Sequence, residues 1–410
     1  MNPAEETVRS DKARLAEPAV ADELAAVRAG HIALGVDLYR SLRRDATNLA
    51  LAPFSIFVAL AMVCAGARGE TERQIGAVAH FELPRTRLHP AINAVDGMLR
   101  APGPDEHRPF RLETANAIWT QSGSAIDDAY LELLAINYGA GVGAVDFRRA
   151  PERARDRINA WVEARTEGKI GDLLPTGAIG LRTRLVLTNA VYFKAAWQSP
   201  FDEASTREAE FQRLDGSTVG VTMIAKTDYL PLGGGNGYLA VELPYERGRL
   251  SMVVVVPDPG RFEQLESELT PAMLDRAMSG LASSYVELQL PSFAITAEAD
   301  LAQALSRLGL TDAFSEASAD FSGITEAEPL FIEAMRHKAL VAVDEAGTEA
   351  AAATAVVTGA PVAYQPPPER VVVDRPFLFL LREMSTQAIL FLGRVTEPAP
   401  ANGPSAATGG

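Results

Sequence analysis

Hydrolytic or metal chemistry needs a nucleophile beside a base, or His, Cys and carboxylates at ligand spacing, and neither arrangement stands out in this chain. The five histidines His31, His80, His89, His107 and His337 are scattered, and no G-x-S-x-G turn is present. The first four read as surface or helix residues. Cys64 stands alone in the apolar run SIFVALAMVCAGA, where it reads as a small buried hydrophobe, and a single cysteine allows no disulfide within the chain. No metal-ligand spacing occurs, so no catalytic, metal or cofactor site is expected. GGGNG at Gly233–Gly237 lacks a following helix and the spacing of a phosphate loop, and reads as a turn. The remaining unusual stretch is EAGTEAAAATAVV, Glu345 to Val357. As an extended chain it would place Thr348, Ala350, Ala352, Thr354, Val356 and Thr358 on one face, all small or β-branched and uncharged. Glu349 falls on the opposite face with Ala351, Ala353, Ala355 and Val357. Composition alone leaves a surface helix and a flexible tether open as well, since alanine has the highest helix propensity.

The elements around these residues mix helix and strand. Apolar positions three and four apart predict a helix over Leu24–Leu42, and Pro53 can open a second, apolar nearly all round and therefore buried. Gly69 and Thr71 start a short amphipathic helix, ETERQIGAVAHF. FRLETANAIWTQ, from Phe110 to Gln121, reads as a strand, followed by helices over Asp127–Asn137 and Glu152–Glu167. LVLTNAVYFKAAW, Leu185 to Trp197, is apolar on both faces, the mark of a central strand. Strands continue from Val219 to Pro257. VELQLPSFAIT alternates as one strand, LAQALSRLGL is a helix, and RVVVDRPFLFLLRE and AILFLGRVT are two late strands. Asn116, Asn159 and Asn189 sit within apolar elements, where a buried amide must be hydrogen-bonded or costs roughly 1–3 kcal/mol.

Apolar residues at 47% and charged residues at 22% suit a globular chain with a large core. A net charge of −15 opposes binding to a phosphate backbone, so no nucleic-acid partner is expected. No run reaches the roughly 18 apolar residues of a membrane span. The polar start MNPAEETVRSDKARLAEPAV lacks a signal peptide's apolar core, which predicts a cytoplasmic protein. With no internal repeat or linker, the expected organisation is a polar N-terminal extension over 1–23, one α+β domain over 24–397 and a disordered tail over 398–410.

Several blocks, in order and spacing, resemble the serpin family of serine protease inhibitors, with a bacterial member as the expected kind. They are Asn48, Pro53, Ser55 and Ile56 leading to ALAMVCAGARGET; LETANAIW; INAWVEARTEGKI; LTNAVYFKAAW followed by Phe201; AVELPYERGRLSMVVVVPD; HKALVAVDEAGTEAAAATAVV; and DRPFLFLLREMSTQAILFLGRV. The resemblance covers nearly the whole chain. It implies a serpin fold, with a large mixed sheet, further sheets, surrounding helices and an exposed reactive loop, here about 345–375. It also implies a metastable monomer that is no enzyme but a suicide inhibitor: a protease cuts the loop, is held as an acyl-enzyme, and the loop inserts as a strand of the main sheet. The alternative is a noninhibitory serpin-fold binding or chaperone protein. Many relatives act outside cells, so extracellular residence is the second expectation.

By the same resemblance, Glu345, Gly347, Thr348, Glu349, Ala350, Ala351, Ala352, Ala353 and Thr354 form the hinge. Ser55, Asn189 and His337 form a polar cluster where two strands must part, and Trp197 marks the top of the sheet. Ala52 stands where the family usually has Ser. Ser292 stands where it often has a basic residue to pair with the hinge glutamate, leaving the partner of Glu345 open. The family spacing of about fourteen residues from Gly347, about 46 Å of strand, ends at Pro361. Serine proteases rarely cut after proline. The candidate bonds therefore involve Ala360, Pro361, Val362, Ala363 and Tyr364. A cut between Ala360 and Pro361 would be poorer still, since proline would follow the bond; cuts after Pro361, Val362 or Ala363 suit an elastase-like or subtilisin-like serine protease, and one after Tyr364 a chymotrypsin-like one.

Overall fold

The computed structural model describes residues 7–18, 20–44, 46–101, 110–348 and 367–399. In chain order, β1 (Thr7–Val8) and α1 (Ala21–Leu42) precede β2 (Leu49–Leu51), α2 (Pro53–Cys64), α3 (Gly69–Val78) and α4 (Arg85–Arg100). β3 (Phe110–Thr114), β4 (Ala117–Gln121), α5 (Asp128–Tyr138), β5 (Val142–Val145) and α6 (Pro151–Arg165) lead to β6 (Leu185–Ala196). β7 (Arg207–Gln212), β8 (Thr218–Gly235), β9 (Tyr238–Pro244), β10 (Leu250–Pro257), α7 (Phe262–Ser267) and α8 (Pro271–Ser279) follow. The rest comprises β11 (Ala282–Pro291), β12 (Phe293–Asp300), α9 (Leu301–Arg307), β13 (Ile332–Val343), β14 (Gly347–Thr348), β15 (Glu369–Val372), β16 (Phe377–Glu383) and β17 (Ile389–Val395).

Local chemistry explains the main boundaries. Pro53 occupies the first turn of α2, where no intrahelical N–H bond is lost, and every α2 residue is buried. Asp127 caps α5 by accepting from the Tyr130 N–H at 3.1 Å, and Gly139 ends it in a left-handed conformation at φ 61°. The polar N-terminal stretch is held down: β1 pairs with β5, and Arg14 pairs with Asp96 at 2.7 Å.

Among the described residues the strands form two sheets. The first has the order β1-β5-β4-β6-β14-β13-β12, with β3 also on β6; the second runs β15-β11-β8-β9-β10-β16-β17-β2, with β7 on β8. α2 lies buried behind the first sheet and shares one core with β6, β10, β16 and β17. No helix among the described residues is long and apolar enough to cross a membrane.

Four sequence expectations change. FRLETANAIWTQ is two strands, broken at Ala115–Asn116. VELQLPSFAIT is also two: β11 belongs to the second sheet and β12 to the first, with Ser292 between them. Alternation survives the crossing because both strands bury alternate residues, so the pattern does not report the change of sheet. RVVVDRPFLFLLRE divides before Pro376, which cannot donate to a ladder: β15 pairs parallel with β11, whereas β16 lies between β10 and β17. In GGGNG, Gly233–Gly235 continue β8 and only Asn236–Gly237 turn.

Candidate functional site

The centre of the first sheet is irregular in one place. β6 and β13 pair directly in parallel from Leu185 opposite Ile332 to Tyr192 opposite Leu340. Above Leu340 they separate, and β14 stands between them. Gly347 pairs with Ala196 and Thr348 with Ala195 on β6, while Thr348 pairs with Val343 on β13, all antiparallel. The first two residues of the Gly-Thr-Glu-Ala run are therefore already strand, and Thr348 is fully buried.

Several contacts hold this hinge. Asp344 Oδ1 accepts from the Ala346 and Gly347 N–H groups at 2.9 and 3.0 Å, a tight turn closed by a short side chain. Trp197 donates its backbone N–H to Ala346 O and its indole N–H to Asp344 O, each at 3.0 Å. Its ring stacks on Tyr245 with centroids 4.4 Å apart and planes 15° apart. The Tyr245 hydroxyl lies 2.7 Å from Thr348 Oγ1, and burial pushes that phenol's pKa well up, so it stays protonated and able to hydrogen-bond. Glu345 has its partner: its carboxylate accepts from Thr206 Oγ1 at 2.7 Å, and its carbonyl from the Phe201 N–H at 2.8 Å. Ser292, where a basic residue was the alternative, instead donates its hydroxyl to Val343 O at 3.1 Å.

Lower on the seam, Asn189 of β6 and His337 of β13 are register partners. Their side chains belong to one network with α2. Asn189 Nδ2 donates to Ser55 Oγ at 2.9 Å and to Asn116 Oδ1 at 2.5 Å. Ser55 Oγ donates to Asn116 Oδ1 at 3.0 Å, and Asn116 Nδ2 returns a bond to Ser55 O at 3.1 Å. Asn189 Oδ1 is left to accept from His337 Nδ1–H at 2.5 Å, which fixes the tautomer. Burial holds the His337 imidazole down at about 4, against the opposing pull of its bond to Asn189, so the ring is neutral near pH 7.

Ser55, Asn189 and His337 thus lie in one hydrogen-bonded network, while Trp197 sits apart at the upper end, on the hinge. Asn116 joins the cluster because the β3–β6 register continues through Ala115 into β4 and brings it opposite Asn189. Asn159, the third amide, bonds both ways with the Leu174 backbone and is structural. Tyr245, Thr206 and Asp344 carried no sequence signal of their own, since each acts through a partner distant in the chain or a turn. Glu349, Ala350, Ala351, Ala352, Ala353 and Thr354, the bond candidates Ala360, Pro361, Val362, Ala363 and Tyr364, and most of the expected tail lie outside the described residues. His31 and His89 lie buried in helices and His80 bonds Asp37 at 2.8 Å. Among the described residues no group of His, Cys, Asp and Glu has the geometry to hold a metal.

Comparison with known proteins gives a consistent result. The family model described as "Serpin (serine protease inhibitor)" matches residues 29–398. The bovine (Bos taurus) leukocyte elastase inhibitor is 38% identical over 385 residues, covering 90% of this chain and 99% of that protein. An uncharacterized serpin-like protein of Thermococcus kodakarensis is 37% identical over 364 residues, covering 88% and 83%. Among solved structures, the thermophilic serpin tengpin in its native state superposes with a TM-score of 0.84 at 25% identity, covering 95% of this chain and 97% of that one. Uncleaved ovalbumin gives 0.82 at 28%, covering 91% and 100%.

Proposed function

Because this chain belongs to the serpin family and has its fold, we propose that it inhibits a serine protease by being cut once and trapping the enzyme before the reaction finishes. The observation that carries this reading is β14, seated at the top of a seam whose lower part is still closed. In the proposed reaction the protease serine attacks the carbonyl carbon of the scissile bond. The C–N bond breaks, the new amino group takes a proton and leaves, and an ester joins the loop to the enzyme. Water would normally hydrolyse that ester. Insertion of the freed strand drags the enzyme away from its working geometry first.

The register of β14 says what insertion would align. Six residues beyond Thr348 on β14, six before Ala195 on β6 and six before Val343 on β13 meet at one level: Thr354, Asn189 and His337. Those two seam residues already face each other, so the inserted strand would exchange the Asn189–His337 bond for contacts with a threonine hydroxyl. One residue beyond Thr348, Glu349 would come beside Lys194, which is half-exposed and carries the opposite charge. The inward faces that follow, Ala350 and Ala352, present nothing that needs solvation.

An elastase-like or subtilisin-like target is the reading favoured by the small residues at Ala360 to Ala363 and by the similarity to leukocyte elastase inhibitors. The test is a panel of elastase-like, subtilisin-like, chymotrypsin-like and trypsin-like proteases. The expected product is a covalent adduct that survives denaturation, with the cut mapped by mass spectrometry between Ala360 and Tyr364. Complete cleavage without adduct across the panel would instead indicate a noninhibitory protein of the same fold.

A further inference from the structure

A cavity of about 680 Å³ lies between α2 and α4 on one side and β3 and β4 on the other, within the size range of small-molecule sites. Its charge is opposite to that of the chain. Six arginines line it against two carboxylates, Asp96 and Glu113, although the protein as a whole carries −15. Three of the arginines are engaged: Arg14 and Arg100 share Asp96 at 2.7 and 2.8 Å, and Arg111 takes Glu167 at 2.5 Å. Arg9, Arg165 and Arg249 have no carboxylate partner among the described residues. Arg165 lies over the Trp161 ring at 5.4 Å, and Arg249 over Phe110 at 5.2 Å while bonding the Ala101 and Met98 carbonyls at 2.7 and 2.8 Å. Aromatic rings beneath two guanidiniums fix their planes without neutralising them. The apolar part of the wall comes from Phe54 and Val58 of α2 and Leu112 of β3. An excess of arginine beside an apolar strip on a mixed wall matches an acid with a hydrocarbon body.

The wall of this cavity also includes Ser55 and Asn116, the residues that brace Asn189 from behind. β3 and β4 are hydrogen-bonded to β6, so parting β6 from β13 must carry both strands across α2. We propose that the cavity binds an amphipathic carboxylate, with its chain between α2 and β3 and its anion on Arg165 and Arg249, and that the bound acid holds the seam shut. The cavity is present while the seam is closed. A ligand filling it favours that arrangement by whatever affinity it loses when the walls move. Neither binding nor seam protection depends on the inhibitory reading above.

The probe is decanoate, with decanol as the uncharged analogue, followed by calorimetry and by hydrogen exchange of the intact chain without protease. Decanoate binds one-to-one and decanol at least tenfold more weakly. Arg165→Gln, at an exposed residue, weakens decanoate at least tenfold while leaving the unfolding midpoint unchanged, and Leu112→Trp, which fills the chamber, abolishes binding. Bound decanoate slows exchange of the amides of β6 and β13 at least threefold. Equal affinity for decanol, or an unaltered Arg165→Gln variant, overturns the anion site. Binding without slower exchange in β6 and β13 overturns the hold on the seam. A chain that never forms a protease adduct still gives the decanoate results, so the two readings fail separately.

Discussion

Thr348→Arg probes the insertion step at its start. Thr348 is fully buried between Ala195 and Val343, with its hydroxyl 2.7 Å from that of Tyr245, so the slot has no room or solvent for a guanidinium. The variant must bury a charge, at an effective penalty of several kcal/mol per ion, or keep β14 out of the sheet. The second course gives up one side-chain hydrogen bond and the short β14 ladder, at about 1 kcal/mol per bond. The free chain takes that course and folds with its hinge expelled. After cleavage the same charge must still pass Tyr245 before any further residue can enter. Taking about 3 kcal/mol on the insertion barrier, the rate falls about a hundredfold, since each 1.36 kcal/mol is tenfold. Deacylation then wins nearly every time. Titrating an elastase-like protease and separating the products on a denaturing gel should show adduct as the main species for the natural chain and cleaved inhibitor with free enzyme for the variant. Thr348→Val, which keeps the shape and loses one hydroxyl, should still trap. Adduct formation by Thr348→Arg at the natural stoichiometry would refute the reasoning from strand face and burial.

Nicking the loop between Ala360 and Tyr364 should raise the unfolding temperature sharply in a calorimetric scan, as the first sheet gains a central strand; an unchanged or lower midpoint would count against insertion. Lys194→Glu should lower the trapped fraction by setting like charges side by side, and Glu349→Lys in the same chain should restore it; a double variant no better than the single would remove that register. Acid should weaken the fold through three histidines, His31, His89 and His337, each held at about 4 chiefly by burial. A histidine whose pKa is depressed in the fold stabilises it above the unfolded value of about 6.5, and that contribution disappears as pH falls from 6.5 through 4. Each group accounts for about 3 kcal/mol at most. Urea unfolding between pH 7 and 4 should show this loss, and His337→Gln should flatten part of it; an unaltered slope in that variant would show that His337 does not titrate with unfolding.

Part of the site was legible because asparagine inside apolar elements is costly unless hydrogen-bonded. That cost singles out Asn189, with Asn116 and Asn159; Ser55 and His337 join Asn189 as a set only through the resemblance of the blocks. Asn116 shows the limit: as an amide in an apolar stretch it was conspicuous, but its place opposite Asn189 depends on strand register, which local pattern does not determine. Tyr245 and Thr206 are ordinary strand and turn residues until the fold brings Thr348 and Glu345 to them. VELQLPSFAIT misleads for a related reason, since the same alternation serves two sheets on either side of Ser292. α4 has no counterpart in the sequence reading: Pro90 inside it is a breaker signal, yet the helix continues over Arg85–Arg100.

The parallel ladder between β6 and β13 has an energetic meaning of its own. It is a less stable pairing per residue than an antiparallel one, and it runs through eight registered positions at the middle of the sheet. A strand entering in the direction set by β14 would abolish it and create an antiparallel ladder on each side. On the proposed mechanism, the free energy for arresting a protease would be stored as a pairing the sheet has not yet made.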